Sequence, residues 1–187
     1  LCEEVIKLAS EALTERSAAL AAKVAPLDSE IDQKERTIES MCLKLLLQQQ
    51  PVAKDLRQIS AALKMITDME RIGDQAEDIA EIISFLDGRP AENDDLMREM
   101  AKATIKMVTE SVDAYVKHDI MLAEKVVAYD DTVDDYFDQV KRRLITKIAE
   151  EPADGEYALD LLMIAKYFER IGDHAVNTVS YTHLRAH

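Results

Sequence analysis

Hydrophobic positions recur at alternating steps of three and four along most of the chain, which is the pattern of helices that pack along one face. The clearest stripes run from Ile59 to Ala80 and from Ala158 to Val179. Helix-breaking residues are few, and they separate these periodic segments. The stripes and breaks predict six helices, over residues 1–16, 18–49, 52–86, 92–117, 120–150 and 155–180. Pro26 falls inside the second of them and either kinks that helix or begins it.

The composition agrees with an all-α protein built from long helices. The chain has 187 residues with only 4 Gly and 4 Pro, while good helix formers are abundant. No apolar run approaches the roughly 18 residues of a membrane span, and no signal-peptide pattern is present, so no membrane-spanning segment is expected. Two cysteines, Cys2 and Cys42, are too few for a disulfide framework or a thiolate metal site, and they fit a reducing compartment.

The charge narrows the class of partner. The chain carries 37 Asp and Glu against 23 Lys and Arg, which gives a net charge of −14. A protein this acidic is repelled by a phosphate backbone, so nucleic-acid binding is not expected. Cations, metal ions and basic protein surfaces are the natural counterparts.

The chain repeats itself. The segment ERIGD at residues 70–74 recurs at residues 169–173, 99 positions later, and the upstream acids Asp28 and Asp32 recur 102 positions later. Residues 1–88 and 91–180 are therefore predicted to be two copies of one unit, giving six long helices in two tandem, pseudo-symmetric three-helix bundles. The first copy is expected to be truncated at its N-terminus, because the chain starts inside a periodic stretch. Residues 181–187 break the repeat and the stripe, so a non-native or disordered tail is expected there.

Four pairs of acids with i, i+4 spacing occupy matching places in the two copies. They are Asp28/Asp32, Glu70/Asp74, Asp130/Asp134 and Glu169/Asp173. Each acid comes one residue after a stripe position, so each pair flanks the buried face and is expected to point into a groove between helices. Four carboxylates in one groove repel one another, so a positive group must compensate. A cation with oxygen ligands is one candidate, Arg71 and Arg170 are another, and a solvated or salt-bridged acidic stripe remains the simplest alternative.

The donor chemistry of such a groove suits hard metal ions. Ligand sets made only of carboxylates favour Mg, Mn, Ca or Fe over Zn or Cu. A ferritin-like di-iron site would need Glu-x-x-His, which this chain does not contain. His174 follows Asp173 and could be a ligand, although a helix-surface histidine is the simpler interpretation. Gly73 and Gly172 fall on the stripe, where the missing side chain is expected to give clearance to a neighbouring helix.

Extended on both sides, the repeated motif resembles the PhoU family of phosphate-signalling proteins. The similar stretches are 50–57 (QPVAKDLR), 70–80 (ERIGDQAEDIA), 130–134 (DDTVD) and 169–177 (ERIGDHAVN). The resemblance implies two three-helix bundles related by a pseudo-two-fold axis. It also implies a regulator without enzymatic activity, cytoplasmic and peripheral to the inner face of the membrane. The implied partners are a phosphate-sensor histidine kinase, the ATP-binding subunit of the high-affinity phosphate ABC transporter, and a second copy in a homodimer.

Some members of that family bind metal clusters through Glu/Asp-x-x-x-Asp motifs, which implies a ligand set in this chain. Matched residue by residue, the set is Asp28, Asp32, Glu70, Asp74 and Asp78 in the first copy and Asp130, Asp134, Glu169, Asp173 and Asn177 in the second. The implied ions are divalent or iron-type metals: Fe, Mn, Mg or Zn. The second copy has Asn177 in place of Asp78 and departs from the pattern after it, so the end of the second bundle is expected to be frayed.

The sequence is compatible with three functions. The first is a phosphate-signalling adaptor that docks through its helix faces. The second is a metalloenzyme with a carboxylate-bridged metal site that does redox or hydrolytic work. The third is a metal-free helical scaffold whose acids are solvated.

Overall fold

Long helices account for nearly all of the structure. The computed structural model describes residues 1–48, 52–86, 89 and 95–186, with side chains as far as residue 182, and these ranges contain no strand. The helices are α1 (Cys2–Glu15), α2 (Ala18–Ala21), α3 (Val24–Gln48), α4 (Ala53–Phe85), α5 (Asp95–Lys117), α6 (Ile120–Glu150) and α7 (Gly155–Ala186). A 3₁₀ turn, Pro152–Asp154, leads into α7.

The predicted second helix is two helices. The hydroxyl of Ser17 caps α2 by accepting a hydrogen bond from the backbone N–H of Leu20 at 3.2 Å. The helix then stops at Ala21, and α3 starts at Val24. Pro26 explains the break, because a proline has no N–H to donate to residue 22 and its ring clashes with that carbonyl in a continuous helix. Pro26 therefore lies in the first turn of α3, where a proline is tolerated.

The last helix is longer than expected. α7 continues to Ala186, six positions beyond the predicted end at residue 180. Tyr181 and Thr182 lie within this helix, and Thr182 is fully buried. The structure thus has helix at residues 181–186, where the sequence suggested a frayed end and a disordered tail. Adding a residue to an existing helix costs little free energy once the preceding turns are packed. His187 lies outside the described residues.

The packing follows the internal repeat. Helices α1, α3 and α4 contact one another, and so do α5, α6 and α7. The two groups share one hydrophobic core, to which α4 contributes Ile72 and Ile79 and α7 contributes Phe168 and Ile171, all fully buried. The predicted all-α fold of six long helices in two three-helix bundles is confirmed. The segment between the two predicted domains, residues 87–94 apart from Arg89, lies outside the described residues, so those boundaries stay a prediction.

Polar contacts between α4 and α7 join the two copies. Asp68 is 7% exposed and accepts hydrogen bonds from Asn177 Nδ2 at 3.2 Å and from the hydroxyl of Tyr181 at 2.8 Å. His174 Nδ1 lies 2.8 Å from the same carboxylate. Burial opposes ionisation of Asp68, but the hydrogen bonds from His174, Tyr181 and Asn177 outweigh it and lower the pKa of this acid.

The same interface has a matching half under the 99-residue offset. The offset relates Asp68 to Tyr167 and Asn177 to Asp78. Burial, and after it the negative charge of Asp78, raise the pKa of Tyr167, so these two residues also lie near each other across the interface. The repeat thus relates residues on the two sides of the α4–α7 interface, and those residues differ in chemistry.

No helix in the described part of the chain combines the length and the apolarity needed to cross a bilayer.

Candidate metal centre

The first carboxylate cluster lies between α3 and α4. We use this name for Asp28 and Asp32 of α3 with Glu70 and Asp74 of α4. Burial raises the pKa values of Asp28 and Glu70, and the negative charges of Asp32 and Asp74 raise both of them further. Acids from the two helices therefore face the same groove, as the i, i+4 spacing predicted.

Asp28 is the buried member of this cluster. It is 6% exposed, and its Oδ1 atom is buried and accepts no hydrogen bond from any described residue. Burial raises its pKa to about 7, with the charges of Glu77, Asp32 and Asp74 as further causes. A carboxylate in this environment is costly when ionised and gains from any cation that reaches it.

Gly73 makes room for that carboxylate. A Cβ atom added at Gly73 would lie 2.3 Å from Oδ1 of Asp28 and 3.2 Å from Cδ1 of Ile31. The sequence predicted that this glycine gives clearance to a neighbouring helix. The structure shows that the clearance is for a side chain of α3, and that the side chain is an acid of the cluster.

The second carboxylate cluster lies between α6 and α7 and consists of Asp130, Asp134, Glu169 and Asp173. Burial raises the pKa of Asp130 to about 6, and Asp134 and Asp173 add to the shift. The pKa values of Asp134 and Asp173 are also raised, first by burial and then by the charge of Glu169. The packing at Gly172 is looser than at Gly73, because a Cβ at Gly172 would lie 3.5 Å from Oδ1 of Asp130, an ordinary contact distance.

Different basic residues accompany the two clusters. In the first, Arg71 lies 3.6 Å from Glu70 and 3.3 Å from Asp74, with more than half of its side chain exposed. Arg36, which is more exposed still, lies 3.6 Å from Asp32. In the second, the ammonium group of Lys166 contacts Glu169 directly.

Two acids that sequence analysis did not select belong to the first groove. Glu35 contributes to the raised pKa of Glu70, and Glu77 contributes to that of Asp28. Glu35 follows Asp32 by three positions and Glu77 follows Asp74 by three. Neighbours at i, i+3 share a helix face, so this spacing could have predicted both acids, whereas the i, i+4 spacing alone did not include them.

Asp78 and Asn177 lie beside the clusters, towards the α4–α7 interface. The pKa of Asp78 is raised overall, first by burial and then by the charge of Asp74, while the charge of Arg170 in the second copy opposes the shift. Asn177 hydrogen-bonds to Asp68. His174, the other candidate, is held by the same carboxylate. The structure therefore places eight of the ten candidates along the two grooves, four in each, and it gives Asn177 a partner in α4 instead.

The donor chemistry of the clusters fits a hard cation, while the described conformation is not a finished metal site. Among the described residues, no three His, Cys, Asp or Glu side chains converge closely enough to hold a metal ion. The fit is shown by the buried oxygen of Asp28, which lacks a hydrogen-bond donor, and by a ligand set made only of carboxylates. Asp28, Asp32, Glu70 and Asp74 are the residues that would hold an ion in the first groove, after rotation of their side chains.

Comparison with known proteins gives the family. The family model described as the PhoU domain matches residues 1–83 and again residues 97–182, so both copies are covered. The chain belongs to the PhoU family.

Individual PhoU relatives match over most of their length. A protein from Aquifex aeolicus named phosphate-specific transport system accessory protein PhoU homolog is 39% identical over 91% of this chain and 77% of its own. A protein of the same name from Pseudomonas aeruginosa is 36% identical over 95% of this chain and 74% of its own. The crystal structure of PhoU from Pseudomonas aeruginosa superposes with a TM-score of 0.91 at 34% identity, covering 97% of this chain and 88% of that one.

Proposed function

We propose that this protein is a non-enzymatic regulator of phosphate uptake and of phosphate-starvation signalling that acts through protein–protein contacts. The observation that carries the proposal is the PhoU match along both repeats, together with relatives that are named accessory proteins of a phosphate-specific transport system.

The proposed partners are a phosphate-sensor histidine kinase and the ATP-binding subunit of a phosphate ABC transporter. By holding the kinase inactive when phosphate is plentiful, the protein restrains the starvation response. We place it in the cytoplasm, peripheral to the inner face of the membrane, and propose that it acts as a homodimer. The net charge of −14 supports docking on basic partner surfaces, because complementary charge steers association and disfavours acidic competitors.

The second part of the proposal is that the carboxylate clusters bind divalent or iron-type cations. Burial and then neighbouring acids raise the pKa values of Asp28 in the first groove and Asp130 in the second, and Asp28 is buried without a donor for one oxygen. A cation between α3 and α4 removes this repulsion and couples the two helices. Metal occupancy then sets how firmly α3, whose outer face is exposed, is held against the rest of the protein.

A reporter strain tests the regulatory role. The gene is deleted in its own host, and expression of a phosphate-repressed reporter is measured in rich and in depleted phosphate. Loss of repression in rich phosphate, restored by the wild-type gene, is the expected result. Unchanged repression in the deletion strain would refute the proposal.

Variants in the same strain test whether the first cluster takes part. Asp74→Asn removes one charge from the cluster, and Glu99→Gln removes one charge from an exposed pair with Lys102 on α5. We expect Asp74→Asn to weaken repression and Glu99→Gln to restore it fully. Equal repression by both variants would remove the cluster from the mechanism while leaving the regulatory role in place.

A further inference from the structure

We propose that a cluster of cations around Tyr157 binds an oxyanion of the phosphate class, and that the carboxylate of Asp154 is an internal ligand which this anion displaces. The cations are Arg16, Arg89 and Lys147, and we call them, together with Tyr157, the basic cluster. The basic cluster shares no residue with the carboxylate clusters. The inference therefore goes beyond the proposed function and does not depend on metal binding.

The basic cluster joins the two copies of the repeat. Arg16 follows α1, and its guanidinium donates hydrogen bonds to the carbonyl of Leu13 at 2.7 Å and to the hydroxyl of Tyr157 at 2.8 Å. Lys147 belongs to α6 and Tyr157 to α7, while Arg89 lies in the segment between the copies. A ligand held here would therefore contact elements of both copies.

All three cations lie close to one aromatic ring. The ammonium of Lys147 is 4.9 Å from the ring centroid of Tyr157, and the guanidinium groups of Arg89 and Arg16 are 5.1 Å and 5.8 Å from it. These distances are in the range of cation–π interactions. Tyr157 is 4% exposed and Arg16 is 7% exposed, so water screens their side of the cluster only weakly. An anion that enters the cluster is attracted by three positive charges at once.

Asp154 shows which kind of ligand the basic cluster accepts. Its Oδ1 atom accepts a hydrogen bond from Arg89 at 3.0 Å, and its Oδ2 atom lies 3.6 Å from the ammonium of Lys147. The two oxygens of one carboxylate thus meet two different cations. Arginine and lysine bind the oxygens of phosphate groups by the same charge-assisted contacts. A phosphate-type anion therefore has the chemistry to take the place of this carboxylate.

Asp154 can leave the basic cluster while the long helices stay packed. It is the last residue of the 3₁₀ turn Pro152–Asp154, and a 3₁₀ turn has poorer hydrogen-bond geometry than an α-helix. The side chain of Arg89 is 49% exposed and that of Asp154 is 23% exposed, so this side of the cluster is open to solvent. An anion from solution can therefore reach the position that Asp154 occupies.

The repeated fold does not require the basic cluster. The offset of 102 pairs Lys147 with Leu45, and the offset of 99 pairs Tyr157 with Gln58. Leu45 is exposed and Gln58 is half-buried, so the first copy has neither the cation nor the ring at these positions. Packing of a three-helix bundle therefore does not explain why three cations surround one ring in a chain with 23 basic and 37 acidic residues.

Titration of the full chain with inorganic phosphate alone tests the inference. Binding is followed by ¹H–¹⁵N NMR at constant ionic strength in chloride, because this method measures weak dissociation constants and also locates the site. We expect saturable shifts in the backbone amide signals of Asp154 and Tyr157. Sulfate, another tetrahedral oxyanion, should compete with phosphate, and additional chloride should not.

Two substitutions separate a binding site from a structural clamp. Asp154→Asn keeps the shape of the side chain but removes the internal anion, so it should tighten phosphate binding roughly tenfold. Arg89→Gln removes the cation that lies 3.0 Å from Asp154 and should weaken phosphate binding roughly tenfold. Asp113→Asn and Lys117→Gln are the matched controls, since these two residues form an ion pair at 2.7 Å on exposed α5 surface and should leave the dissociation constant unchanged.

Three results would overturn the inference. The first is the absence of saturable shifts at millimolar phosphate in both the wild type and Asp154→Asn, or competition by chloride as strong as that by sulfate. The second is phosphate binding by Asp154→Asn that is no tighter than that of the wild type, since Asp154 would then be only a structural partner of Arg89. The third is wild-type affinity in Arg89→Gln. None of these results changes the outcome of the reporter assay, so the inference and the proposed regulatory role can fail separately.

Discussion

The two glycines of the repeated motif should respond differently to alanine. In Gly73→Ala, the new Cβ lies 2.3 Å from Oδ1 of Asp28 and 3.2 Å from Ile31, far inside van der Waals contact for the first pair. In Gly172→Ala, the nearest atoms lie at 3.5 and 3.6 Å, so the methyl group fits without movement. The same substitution at the same position of the repeat therefore meets two different environments.

The magnitudes follow from two opposing effects. Alanine is favoured over glycine in a helix interior by about 1 kcal/mol. Overpacking of a filled interior costs about 1–3 kcal/mol, and Asp28 has a short side chain that is 6% exposed and has little room to retreat. We expect Gly172→Ala to stabilise the protein by about 1 kcal/mol. Gly73→Ala should range from neutral to destabilising by about 2 kcal/mol.

Urea denaturation followed by far-UV circular dichroism measures both changes in the free energy of unfolding. A double-mutant cycle identifies the cause, because removal of the carboxylate with Asp28→Ala should convert Gly73→Ala into a stabilising change of about 1 kcal/mol. Equal effects at the two glycines would refute the argument. So would a cost of Gly73→Ala that persists in the Asp28→Ala background, since Asp28 would then not be the group that the methyl displaces.

Three further outcomes follow from the structure. The pKa of Asp28 in the folded protein is about 7, above its ordinary value of 3.8, so the free energy of unfolding should fall as pH rises from 3.8 to 7. Asp28→Asn should flatten this pH dependence and stabilise the protein at pH 8 by on the order of 1 kcal/mol. Thermal melts across pH measure both profiles, and parallel profiles for the variant and the wild type would contradict the expectation. His174→Ala removes a partner of buried Asp68 and should cost about 1–3 kcal/mol in urea melts, whereas an unchanged midpoint would mean that the contact contributes nothing. Tyr157→Phe removes the hydroxyl that accepts a hydrogen bond at 2.8 Å from the guanidinium of buried Arg16, and it should lower the free energy of unfolding by about 1 kcal/mol. Tyr136→Phe, at a partly buried position of α6, is the control and should leave the free energy of unfolding nearly unchanged.

The sequence predicted the helices and the two quartets because both depend on periodicity. The predicted helix over residues 120–150 coincides with α6, which Asp119 begins by accepting a hydrogen bond from the backbone N–H of Leu122 at 3.0 Å. The quartets follow from register alone: acids one position after a buried stripe must border a groove. The local sequence pattern is therefore sufficient to predict the helices and the acids that border their grooves.

Features that depend on the partner helix could not be predicted in this way. That Asn177 binds Asp68 follows from how α4 crosses α7, which no spacing within either helix encodes. The role of Gly73 required knowing which side chain faces it. The break before α3 was open to prediction from Pro26, and the sequence left it as one of two alternatives.

Anomalous diffraction from crystals grown with Mn²⁺ gives the most direct test of the central claim, that matched acids from paired helices enclose a cation site. We expect a manganese peak between α3 and α4, within bonding distance of Asp28 and Asp74. A map with no peak between these two helices would contradict the claim.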